Sequence, residues 1–421
     1  MKQQPIIRSV AHTESAQGNS SSIVGNDVYI SPDSEINLVE NSGIQFVDYQ
    51  VEVKWDNQEN YKVKGFSRGQ FFFENAGQDS HLIRAVPDIE GKTFSDPVSG
   101  EVLSSSSKIT CETRKSLVLY NGVWFPIPYF SESGSGPSNW ARARVVKIPL
   151  NDTQTENNMF ENEDHCRYHV TLAFDTELQN IRESEYYAPT PQDVSNKTRF
   201  TLNWQIGGTT ALRKDKSGQS WVEEWARAVY MQLAKDRFYE LANVQDDKFL
   251  KHIENREHEA HYLNMLAFLG GMVEPNRVSF IANRDDGISG HVDVDLILDI
   301  GNSRSCGVLY EEVRDGSRED FTKITELAIR DLNAPDTVYT EPFPSRIEFQ
   351  VANFDFDGHS ARSGRPDAFI WPSFGRTGNE ATILSGNREG GEGRTGLNSP
   401  KRYLWKSEAD SNEPEWYFNP F

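Results

Sequence analysis

Residues 292–312 read VDVDLILDIGNSRSCGVLYEE, and this stretch constrains the fold more than any other in the chain. An apolar run closes on Asp299, a polar turn opens on Gly301, and a second apolar run leaves from Cys306. Two such runs separated by a few Gly, Asn and Ser residues predict an antiparallel hairpin. The turn also carries anion-binding chemistry. Gly301 lacks the Cβ that would keep backbone away from a phosphate, and successive N–H groups in such a turn, here through Asn302, form an anion nest. Ser303 and Ser305 add hydroxyl donors, Arg304 adds a fixed positive charge, and Gly307 stands near the start of the second strand. Asp299 is placed to hold Mg²⁺ through water, because that ion keeps much of its hydration shell. The same residues read equally well as an ordinary β-hairpin, since Gly-Asn is good turn chemistry without any ligand.

The charge of the chain narrows what that turn could serve. Formal net charge is -20 over 421 residues, a surface that repels phosphate backbones and disfavours general nucleic-acid binding. A nucleotide site here must use backbone N–H groups, a metal and a few local cations. No apolar run approaches the roughly 20 residues of a membrane span, and MKQQPIIRSVAHTESAQ has no secretory core. Three widely spaced cysteines, Cys111, Cys166 and Cys306, supply no disulfide framework and suit a reducing compartment.

The texture of the sequence changes along the chain. Residues 1–25 are rich in Ser, Asn and Gln and are expected to be disordered. Residues 26–215 read as a β-rich domain, with IQFVDYQVEVKW, SLVLYNGVWFPIPYF, YHVTLAFDTEL and RFTLNWQI as strand candidates. Residues 216–275 read as a helical pair. Ser220 and Glu223 have capping-box spacing, and Trp221, Trp225, Ala228, Val229 and Leu233 mark one buried face. A second helix from Asp246 carries Phe249, Ile253, Ala260, Leu263 and Ala267, and Gly270-Gly271 is expected to stop it. Short strands return over residues 276–421, with the hairpin at 295–312. The fold class expected is α+β or α/β.

Other motifs are weaker. EGKTF at residues 90–94 contains the GKT of a P-loop, but the required first glycine falls at Val86, and Pro87 and Asp88 occupy the loop. His165, Cys166 and His169 cluster, as do Glu257, His258 and His261, yet neither group has CxxC or HExxH spacing. No GxSxG elbow is present.

Three later segments follow the hairpin in a telling order. Asp299-Ile300-Gly301 with Gly307 resembles the first phosphate motif of the actin/Hsp70/hexokinase ATPase superfamily. Phe343-Pro344-Ser345-Arg346-Ile347-Glu348-Phe349 resembles the third strand of that fold, and Gly378-Asn379-Glu380-Ala381 its Gly-x-x-Ala element. Ser399-Pro400-Lys401-Arg402-Tyr403 resembles a chaperone segment whose lysine reaches the γ-phosphate, which makes Lys401 the catalytic candidate for charge stabilisation. More narrowly, DIGNSRSCGVL, PFPSRIEF, AFIWPSFGRTGNEA, GLNSPKRYLW and GPSNWARAR together resemble the bacterial SrfB-type virulence-factor family.

The resemblance implies the first lobe of an actin-like ATPase fold, ATP and Mg²⁺ as cofactors, SrfA- and SrfC-like partners, and a cytoplasmic bacterial setting. It also implies a second Asp-Gly hairpin and a Gly-rich adenosine motif. After Trp405 only KSEADSNEPEWYFNPF follows, so the chain is expected to be an N-terminal fragment or one half of a split protein, completed by the missing half and without ATP hydrolysis of its own. The alternative is a non-enzymatic scaffold that keeps the fold as architecture for partner binding.

Overall fold

A computed structural model of the chain describes residues 6–8, 28–29, 36–55, 68–76, 79–87, 93–96, 100–103, 108–131, 140–148, 165–179, 188–203, 221–272, 277–282, 294–313, 321–330, 338–349, 375–386 and 396–398. The architecture is mixed α+β, rich in strands, with several small sheets and few helices. Two compact units are formed by 1–283 with 360–369, and by 284–359 with 370–421. Among the described residues no helix is long and apolar enough to cross a membrane.

The first unit is built on long antiparallel strands. Strand β1 (Ile44–Lys54), a hairpin of β2 (Arg68–Ala76) and β3 (Asp79–Pro87), and β4 (Lys108–Glu112) precede a short helix, α1 (Thr113–Leu119). Strands β5 (Ala141–Ile148) and β6 (His165–Asp175) then pair along their lengths, and β6 also pairs with β1, so that Val170 lies between Val145 and Tyr49. Of the first 25 residues, Ile6–Arg8 form a strand, paired with Asp48–Gln50 on one side and with Val28–Tyr29 on the other, and Ile6 and Ile7 supply the β-branched residue type a strand favours.

Alternation along β6 does the sorting. Cys166, Tyr168 and Val170 are buried on one face, while His169 lies on the other, with its Nε2 3.0 Å from Asp48 Oδ1. Cys166 and His169 therefore point away from one another, which removes them as a joint metal site. The interior is aromatic. Trp140 is fully buried, with its ring 5.2 Å from Phe200, 5.7 Å from Phe280, and 5.8 Å from both Phe174 and Tyr129.

Among the described residues this unit also holds a short helix at Pro191–Ser195 and three longer ones, α2 (Trp221–Arg237), α3 (Asp246–Glu254) and α4 (Glu257–Met272). The structure differs from the sequence expectation here in four places. On α2 the buried residues are Val222, Ala226, Tyr230 and Ala234, while Trp225, Val229 and Leu233 are half-buried and Ala228 is exposed. The helix expected from Asp246 onward breaks at Asn255–Arg256, where Arg256 takes φ +59° and its N–H donates to the Ile253 carbonyl at 2.9 Å. Gly270 and Gly271 do not stop α4, which runs on to Met272. Two glycines cost a helix about 1 kcal/mol each relative to alanine. Burial of Leu263, Leu266, Ala267, Phe268 and Leu269 outweighs that. Ser116–Leu119, expected as strand, lies in α1, because Leu117 and Leu119 bury themselves as that helix packs on α4.

The second unit is smaller in its described extent. Strands β7 (Val294–Ile300), β8 (Arg304–Val313) and β9 (Phe321–Glu326) form an antiparallel sheet, and β10 (Phe343–Pro344) adds to the first residues of β8. Next come β11 (Arg346–Phe349), β12 (Gly375–Thr377), α5 (Gly378–Gly386) and β13 (Gly396–Asn398), with β11 paired to both β12 and β13.

Candidate functional site

The hairpin read from the sequence is present, with Leu298 opposite Gly307, Asp299 opposite Cys306 and Ile300 opposite Ser305. Its turn is closed by the Gly301 N–H, which donates to the Arg304 carbonyl at 2.9 Å. Asn302 and Ser303 stand at the tip, and the side chains of Asp299, Asn302, Ser303 and Arg304 are all exposed.

Each glycine has a structural reason. A Cβ at Gly301 would come within 2.3 Å of the Arg304 carbonyl oxygen, so the turn itself demands glycine. A Cβ at Gly307 would meet Leu327 Cδ2 at 2.9 Å and the Ile297 carbonyl at 3.2 Å. The Leu327 N–H donates to the Gly307 carbonyl at 2.9 Å, so a side chain there would push away the segment that leaves β9. The Gly301 N–H is used inside the turn, and Arg304 and Ser305 pair with Pro344 and Phe343.

The two serines divide into different roles. Ser305 is buried, and its hydroxyl lies 2.8 Å from that of buried Ser345. The Ser345 N–H donates to the Ser303 carbonyl at 2.9 Å. Ser305 thus ties the hairpin to the Phe343–Phe349 segment, and Ser303 is the hydroxyl that the turn offers to solvent.

Helix α5 meets the same place. Gly378 opens it at φ +60°, and a Cβ there would lie 3.7 Å from Phe343 and 3.8 Å from Pro344. Phe343 and Pro344 pair with Ser305 and Arg304. The phosphate-type turn, the Pro-Ser strand and the Gly-x-x-Ala element, spread over 80 residues of sequence, therefore converge within one unit. Lys401 lies outside the described residues.

The family model for Virulence factor SrfB matches residues 29–421, nearly the whole chain. The chain belongs to the SrfB family. No curated protein and no solved structure matches it. Within this SrfB-family chain the sequence reading placed Ser345 only as part of a motif. Its tie to Ser305 required the pairing of β10 with β8, a contact 40 residues apart that no local pattern encodes.

The first unit holds a second polar constellation, in a cavity of about 190 Å³ lined by Cys111, Lys115, Tyr230, Glu240, Glu257 and His261 among others. His261 Nδ1 lies 2.9 Å from Ser116 Oγ and 3.1 Å from Cys111 Sγ. The Asn264 amide donates to Ser116 Oγ at 3.1 Å and accepts from Thr113 Oγ1 at 3.1 Å. Burial pushes the Cys111 thiol up to about 12, and burial with nearby Lys115 pushes His261 down to about 3. Burial thus favours the neutral thiol and the neutral imidazole, and the two sit together in a hydrogen-bonded cluster.

Proposed function

We propose that the Gly301–Ser305 turn receives the phosphates of ATP in an actin-like nucleotide-binding fold. The observation that carries this reading is the convergence of the turn, Phe343–Ser345 and Gly378–Ala381, three segments that resemble successive elements of that fold. The residues present fit the group. Exposed Asn302, Ser303 and Arg304 offer donors and a positive charge in an acidic chain, and exposed Asp299 offers a carboxylate beside them.

In this reading Arg304 and the turn backbone hold the phosphate charge, Ser303 orients a phosphate oxygen, and Asp299 holds Mg²⁺ through its water shell. Bound Mg²⁺ would neutralise phosphate charge and polarise the terminal phosphoryl group. Lys401, by the family resemblance, supports the developing charge at that group. Ser305 and Ser345 keep the turn in register with the strand behind it.

A second reading keeps the fold as architecture for partner binding. It is favoured by β7, where Leu296, Ile297 and Leu298 are 55%, 58% and 46% exposed on both faces of an apolar strand.

Thermal denaturation with Mg-ATP separates the two. A nucleotide that binds only the folded chain adds about 2.7 kcal/mol of apparent stability at a hundredfold excess over Kd. Asp299→Ala should remove the Mg²⁺-dependent part of that shift. No shift with the wild-type chain at millimolar Mg-ATP would leave the scaffold reading standing.

A further inference from the structure

Glu257, His258 and His261 are neighbours in sequence, but the fold sends them to different places. The Tyr230 hydroxyl donates to Glu257 at 3.0 Å, His252 Nδ1 lies 2.9 Å from the same carboxylate, and His261 closes on Cys111 and Ser116. His258 turns elsewhere. It is only 3% exposed, and among the described residues neither of its ring nitrogens has a hydrogen-bond partner. A buried imidazole with both nitrogens unmet calls for an explanation, and an ion is one of the few available.

We propose that Glu223, His258 and Glu259 form a binding site for a divalent transition-metal ion of the zinc class. Their ligand atoms all lie within 4.8 Å of one another. Two ligands of a tetrahedral zinc, each at about 2.0–2.2 Å, stand about 3.3–3.6 Å apart, so the side chains draw together by about 1 Å when the ion binds. Glu223 comes from the first turn of α2, and His258 and Glu259 from the first turn of α4. His258 Nε2 already lies 3.8 Å from Glu259 Oε1.

The surroundings suit such an ion. Glu259 is fully buried, and Arg256 forks its carboxylate, Nε at 2.5 Å from one oxygen and Nη2 at 2.6 Å from the other. An outer hydrogen bond of this kind fixes a ligating carboxylate while each oxygen keeps a lone pair for a metal. Arg256 and Arg227 also lie near His258.

The same arginines oppose a cation held by one carboxylate alone, so the site requires both Glu223 and Glu259. One imidazole with two carboxylates selects zinc-like ions over Mg²⁺, which prefers oxygen and water. Three ligands from two helices would pin the start of α2 to the start of α4 and leave a position for water. This site is independent of the nucleotide reading, since it lies in the other unit.

The test uses the full chain, stripped with a chelator and titrated with Co²⁺ as the visible stand-in for Zn²⁺. One equivalent of Co²⁺ should give a visible d–d band, Zn²⁺ should displace it, and Zn²⁺ should raise Tm. Glu223→Gln, on the partly exposed side, should weaken binding at least tenfold without unfolding the chain. His258→Asn should remove the band. Absence of a band in the wild-type chain overturns the proposal. So does a band of unchanged affinity in Glu223→Gln, which would place the ion elsewhere.

Discussion

Strands β6 and β7 are both apolar, yet the molecule treats them in opposite ways. In β6 every residue from Val170 to Asp175 is buried, with β1 on one side and β5 on the other. In β7 every residue from Val294 to Asp299 is exposed. One strand is held by the core it helps to build. The other is held by its hairpin, a glycine turn and a neighbour, β8, that pairs along its whole length. An apolar run therefore predicts that a strand forms, and says little about what covers it.

The largest effect should come from the buried side of this contrast. Trp140→Ala removes the ring on which Tyr129, Phe174, Phe200 and Phe280 converge. It should cost about 3–5 kcal/mol in denaturant unfolding, the range for deleting a large aromatic side chain from a core. A loss under about 1 kcal/mol would mean that the aromatic centre does not hold the first unit together.

Acid should act on the same interior. Burial, then like charge, lowers His261 to about 3 and His258 to about 4 from an ordinary value of 6.5. The unfolded chain then binds protons that the folded chain refuses. The stability is fully present above pH 6.5 and falls as pH drops, by about 1.4 kcal/mol per pH unit for each histidine until its folded value is reached. Stability measured from pH 7 to 4.5 should show this slope, and His261→Asn should reduce it by one proton. An unchanged slope would contradict the buried, neutral assignment.

On the exposed side, Gly301→Ala should cost about 1–3 kcal/mol, as an inserted methyl does where backbone must shift. The reason is local, the 2.3 Å approach to the Arg304 carbonyl, so limited proteolysis near residues 300–305 is the direct readout. Asp299→Asn should change stability by less than about 0.5 kcal/mol, because the carboxylate is exposed. A large loss there would show Asp299 to be a structural residue.

Much of this was legible in the residues. Gly-Asn-Ser after an apolar run announced the hairpin, and its pairing ends where the sequence suggested. Helical spacing from Trp221 announced α2. What escaped was long-range. Ser116–Leu119 carries a strand-like composition and becomes helix because α4 covers it. Arg256 breaks a continuous apolar stripe through a positive φ that composition does not forecast. The order of motifs named segments that meet at the Gly301 turn, but the contact of Ser305 with Ser345 depends on a strand pairing 40 residues away. His258 shows the same limit, since Glu223, the second carboxylate of its cluster, lies on another helix.

Amide hydrogen exchange with and without Mg-ATP decides whether the exposed turn meets a nucleotide. A nucleotide on the turn should slow exchange only at residues 301–305 and the adjoining 343–345, in a manner dependent on Mg²⁺ and lost in Asp299→Ala. Exchange at those residues left unchanged by saturating Mg-ATP, or protection that appears only in other segments, would contradict it.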